Sequence, residues 1–296
     1  MKFKFNALYA ILCTLFILSS CGGSKDGGDK TEAFDEAQTL EERITHLVSE
    51  DFPRPSEIPY LVMQTGAEYN QLLLNNQGNA DAYITRPDDA ALNLGVYAAD
   101  MGYLASYDKT QESMEYFQTC KRIADELGIM SGFDPAMVDS VDKNIGNRVA
   151  LTRLLDKAVD QASQYMGTGA NSKIGALIIT GSFVESMHLA TGIVNTYPKE
   201  AFTDPKQRMQ ILTPIITLVL KQKSSVKEVR DMLTKVDQTS RVTKILKDWE
   251  ELDAAYTALE PLQEQIHKNP GNLQFNDQTL AGISTTIEKI RADITK

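Results

Sequence analysis

Apolar residues recur every three or four positions along almost the whole chain, and strict alternation is scarce. That spacing is helical. No Asn-Gly or Asp-Gly pair sits between two apolar runs, as a tight hairpin would require. Within residues 31–50, Leu40, Ile44, Leu47 and Val48 form a narrow apolar stripe on a polar helix. Pro53, Pro55 and Pro59 then interrupt the pattern, and Pro59 fits the first turn of a helix reaching about residue 74. The Asn-rich stretch 75–79 reads as a loop.

The next helix is expected from Pro87-Asp88-Asp89 to about Tyr107, with Asp108 capping another that runs to Leu127. Asp134-Pro135 opens a segment to about 144, and 149–166 is amphipathic. A long apolar helix over 171–197 stops at Pro198. Asp204-Pro205 starts a helix through Lys223, and 225–236 follows. Val242, Ile245, Trp249, Leu252, Tyr256, Leu259 and Ile266 make a coiled-coil-like seam that expects a facing helix, with a kink at Pro261. Residues 277–294 form a last amphipathic helix. No repeat of 30–50 residues is present, so a solenoid is not supported. The expected fold is all-α, a helical bundle of about ten helices with short connections.

Two of these helices are apolar nearly all round, which predicts that they are central. In the first, Gly95, Ala98, Ala99 and Gly102 would let another backbone come close. Its strongly polar inserts, Asn93 and Asp100, are seven apart and share a face, with Arg86 and Tyr107 further out on the same line. In the second, Glu185 and His188 are three apart and project from one side. A carboxylate in an apolar core must find a cation or donors, or keep its proton. Arg86, His188, Lys173 and the hydroxyls of Tyr97, Tyr103 and Tyr107 are the expected partners of Asp100 and Glu185. Two readings follow. One is an internal polar network that locks helix register. The other is a ligand pocket lined by Asp100, Glu185, His188, Tyr97, Tyr103, Asn93 and Arg86.

No cofactor or metal is expected. A di-iron bundle needs a second Glu-x-x-His motif, and the chain holds only His46, His188 and His267. Zinc-protease, Cys-x-x-Cys, nucleophile-elbow and Walker-type motifs are missing.

The amino terminus carries the most specific signal. Lys2 and Lys4 precede a mostly apolar run from Ala7 to Leu18, too short to span a bilayer, followed by Leu18-Ser19-Ser20-Cys21. These four residues resemble the lipobox of bacterial lipoproteins. The resemblance implies that 1–20 is a removed signal peptide and that Cys21 carries a diacylglycerol thioether, usually with a further acyl chain. Two or more chains hold a protein stably on a membrane without crossing it. Residues 21–33, rich in Gly and charge, read as the lipidated cysteine and a flexible tether. Residues 34–296 read as the helical domain, with a division near 198–205 left open. Gly22 after the cysteine favours the outer membrane. Ser24-Lys25-Asp26 resembles surface-export signals only faintly, so the periplasmic face is expected over the cell surface.

Composition narrows the partners. The net charge is −10, and losing Lys2 and Lys4 with the signal takes it to −12. An acidic chain without a basic cluster is poorly suited to nucleic acid. Of the three cysteines, Cys13 leaves with the signal and Cys21 is lipidated, so Cys120 has no intramolecular partner and is expected to be a buried thiol. The reading is a lipid-anchored envelope protein of binding or scaffold type, contacting an envelope protein or a small ligand. The alternative is an envelope enzyme with Asp100, Glu185 and His188 as acid–base groups.

Overall fold

A computed structural model describes residues 57–132, 134–144, 147, 150, 153, 154, 157, 172–199, 205–268, 275, 276 and 278–296. Cys21, the tether, the 31–50 stripe and most of the 149–166 segment lie outside these residues. Among the described residues there are ten α-helices of two or more turns and no strand. We number them α1 (Glu57–Gln64), α2 (Pro87–Ser106), α3 (Thr110–Glu126), α4 (Pro135–Asn144) and α5 (Ser172–Thr196). There follow α6 (Pro205–Leu220), α7 (Lys223–Leu233), α8 (Ser240–Thr257), α9 (Glu260–Lys268) and α10 (Ala281–Ile294). The all-α bundle expected from the periodicity is what the chain forms.

α2 and α5 are the axis of the bundle, and both are buried on nearly every side. They cross backbone to backbone. A Cβ on Gly95 would sit 2.0 Å from the Ile178 carbonyl oxygen, and one on Gly181 would sit 1.9 Å from that of Leu92. Only glycine allows this approach, which is why a residue that weakens helices by about 1 kcal/mol is tolerated here. α2 begins with Pro87 at its first position and Asp88 and Asp89 in its first turn, which complement the helix dipole.

The larger core lies on the α5 side and is shared by α1, α6, α7, α8 and α10. Helices before and after residues 198–205 therefore contribute to one apolar cluster. A smaller core fills the space between α2 and α3, around Tyr97, Leu104, Tyr116, Cys120 and Ile123. Trp249 is fully buried on α8, against Phe183 with ring centroids 5.8 Å apart, and its indole N–H donates to the Val226 carbonyl. The helix α8 that carries Trp249 thus packs against α7 and α10 of its own chain and meets α5 through Phe183. α5 is long and apolar enough to cross a membrane, but 89% of its apolar window is buried inside the bundle.

Three local expectations are corrected. The helix expected to reach residue 74 stops at Gln64, because Gly66 takes φ +83, a left-handed conformation that ends the helix at little steric cost. Asp108 does not cap the following helix; it lies in the turn at φ +56, and Lys109 takes the cap position without a side-chain bond. The heptad seam is also broken. α8 ends at Thr257 and α9 starts at Glu260, with Pro261 in its first turn where a missing N–H is harmless.

Candidate functional site

Ending α1 at Gln64 leaves residues 67–79 to cross the bundle as a strap with only short 3-10 turns. Such a segment cannot satisfy its own backbone, so its carbonyls and amides need partners. The polar residues singled out on α2 and α5 supply them.

Asp100 and Glu185 have no exposed surface. Asp100 Oδ2 accepts the Asn75 N–H at 3.1 Å. Its other oxygen has no donor among the described atoms and faces the Glu185 carboxyl. Burial, and then the charge of Glu185, push the Asp100 pKa well above its ordinary value, with Arg291 and the Asn75 amide acting against the rise. A proton kept on Asp100 is thus donated to Glu185, which satisfies the otherwise orphaned oxygen.

Glu185 is gripped by Arg291 of α10 in a two-point fork, Nε to Oε2 at 2.7 Å and Nη2 to Oε1 at 2.8 Å. Burial disfavours the Arg291 cation, but the charge and hydrogen bonds of Glu185 outweigh it and raise its pKa. Arg291 Nη2 also donates to the Leu73 carbonyl at 3.0 Å. His188 reaches the same carbonyl through Nε2 at 3.0 Å, while Nδ1 lies 2.6 Å from Glu288 Oε1. Both ring nitrogens therefore face acceptor oxygens. Burial alone would raise the Glu288 pKa, but His188 and Arg291 overcome it and hold it below the usual carboxylate range.

Tyrosines complete the grip. The hydroxyls of Tyr107, Tyr116 and Tyr97 donate to the carbonyls of Ala67 (2.8 Å), Asn75 (2.7 Å) and Asn76 (2.9 Å). Tyr103 Oη accepts the Asn70 N–H at 2.9 Å. Burial raises the pKa of all four, that of Tyr103 to about 12, so these hydroxyls keep their protons. The Leu73 side chain sits over Gly192, where a Cβ would lie 2.6 Å from Leu73 Cδ2.

The structure therefore brings Asp100, Glu185, His188, Tyr97 and Tyr103 to one strap. It does not bring Asn93 and Arg86 there. Asn93 donates to the Asp89 and Ile294 carbonyls and ties α2 to the end of α10. Arg86 is largely exposed and pairs with Asp89 at 2.5 Å. Lys173 pairs with Asp88 at 2.9 Å. Arg291 and Glu288 were not legible as members of the site. They flank the Ile283–Ile287–Ile290–Ile294 stripe, but nothing local marks a contact with residues a hundred positions away. Among the described residues no group of three or more metal-ligating side chains is placed to hold a metal ion. Cys120 is a free buried thiol whose pKa burial raises further.

Comparison with family models, curated proteins and solved structures finds no match.

Proposed function

We propose that this chain is a lipid-anchored protein of the bacterial cell envelope whose helical body works by binding. Cys21 and its acyl chains would hold it to the outer membrane, and the Gly-rich tether would give the body reach. The observation that favours binding over chemistry is the state of the acidic cluster. Asp100 and Glu185 are sealed, and His188 and Arg291 are spent on the strap carbonyl of Leu73. An acid–base enzyme needs such groups within reach of a substrate. Here they hold a backbone instead. The partner class that fits an acidic body is another envelope protein or a small ligand, not nucleic acid.

The test is metabolic labelling with a fatty-acid analogue, together with membrane fractionation of the unmodified chain and Cys21→Ser. The expected result is label on the unmodified chain alone and a soluble variant. A mature chain that retains its first 20 residues, or that carries no acyl group, overturns the anchor. Purification from membranes with mass spectrometry of what accompanies the chain tests the binding role.

A further inference from the structure

We propose that the groove holding residues 67–79 is a binding site for a peptide segment with an aliphatic anchor and short 3-10 turns, filled in this structure by the chain's own strap. The inference deepens the binding role above and names its ligand class.

Three observations carry it. First, the grip reads backbone. Arg291 and His188 meet the Leu73 carbonyl, Asp100 meets the Asn75 amide, and tyrosine hydroxyls meet the carbonyls on either side. Contacts to main-chain groups are available to any segment that takes the strap's course, whatever its side chains. Second, Leu73 is the strap's one large buried apolar side chain. Leu73 is buried over Gly192, whereas Leu72 beside it is 92% exposed. One side-chain pocket among backbone contacts is how a bound peptide segment is selected. Third, much of what the strap meets is polar: four tyrosine hydroxyls, the Asp100–Glu185–Arg291 group and His188 lie beside the apolar seats of Ala67 and Leu73. A loop that merely roofed an apolar core would expose only that core on leaving. This strap would uncover groups that water solvates well together with the two apolar seats. Gly66, at φ +83 with open space around it, stands at one end of the strap as a joint.

The tethered strap competes at high effective concentration, so an outside peptide sees only the fraction of molecules whose groove is vacated. A partner segment with Leu, Ile or Val at the anchor position would take its place.

The experiment titrates a fluorescent peptide copying residues 69–78 into the purified full chain and into Leu73→Asp, which puts a carboxylate into the buried apolar seat over Gly192 and ejects the strap. Folding of the variant is checked by circular dichroism. Leu73→Asp is expected to bind the peptide at least about ten-fold tighter than the unmodified chain. Adding Tyr116→Phe should weaken that binding about two- to ten-fold, the worth of one hydrogen bond. A folded Leu73→Asp chain that binds nothing up to about 1 mM peptide overturns the proposal. Should Leu73→Asp fail to fold, hydrogen exchange of the unmodified chain decides. The Asn70 and Asn75 amides are expected to exchange through local opening, well before those of α2 and α5. Exchange only with global unfolding overturns the proposal. Neither readout depends on the acyl anchor or on a captured partner, so its failure is separable from failure of the envelope reading.

Discussion

Replacing Asp100 by Asn and by Ala separates two roles of one buried carboxyl. Its pKa is raised, so between the unfolded value of 3.8 and the folded value the native state holds a proton that the unfolded state has released. The sign follows. This group's contribution is fully favourable below pH 3.8 and declines as pH rises, at about 1.4 kcal/mol per pH unit while Asp100 keeps its proton. Asn reproduces the protonated acid. Its carbonyl can accept the Asn75 N–H and its amide can donate to Glu185, with no proton to lose. Asp100→Asn should therefore match the unmodified chain within about 1 kcal/mol near pH 4 and become progressively more stable than it toward pH 7. Asp100→Ala removes both bonds. It strands the Asn75 N–H, at about 1–3 kcal/mol, and leaves a small void worth about 1 kcal/mol. At pH 4 it should lose about 2–4 kcal/mol, whereas Glu126→Ala on the exposed face of α3 should stay within about 0.5 kcal/mol. Urea denaturation of all four chains at pH 4, 5, 6 and 7 reads this directly, because other titrating groups cancel in the differences. Parallel pH profiles for Asp100→Asn and the unmodified chain would refute a shared proton, and an unchanged Asp100→Ala would refute the network.

Other consequences are open to the same methods. Gly181→Ala drives a methyl onto the Leu92 carbonyl oxygen, 1.9 Å from its ideal position, and should cost about 3 kcal/mol or more in a thermal melt. Gly66→Ala, with nothing within 4 Å, should cost only the about 1 kcal/mol of a left-handed Ala; equal losses would contradict the close crossing of α2 and α5. Arg291→Met leaves Glu185 buried without its cation and should lose about 3–5 kcal/mol, most of it recovered when Glu185→Leu is added. A double variant no better than the single one would show that the unpaired charge of Glu185 is not the source of the loss. Trp249 is the single tryptophan and is fully buried, so native emission should be blue-shifted and resist acrylamide until unfolding. Red-shifted, readily quenched emission from the folded chain would place it outside the core.

How much of this was legible beforehand depended on range. Helix type, the central place of the two apolar helices, the close approach at Gly95 and the burial of Asp100 and Glu185 all follow from spacing within about twenty residues. So do the pairing of polar inserts on one face and the starts at Pro87 and Pro135. The lipobox resemblance is likewise a local string. What folding alone decided was which partner each buried charge found. Arg86 and Lys173 were the nearby cations, yet each pairs at the edge of α2, while Arg291 crosses from the far end of the chain to hold Glu185. The strap was equally hidden, since residues 67–74 carry enough Leu and Tyr to read as a continuing helix. Gly66 ends that helix, and the freed backbone is then worth more as a ligand for side chains of α2, α3, α5 and α10. Periodicity reports which face of a helix avoids water. It carries no information about which distant group will be brought to meet that face, because that is set by packing of the whole bundle.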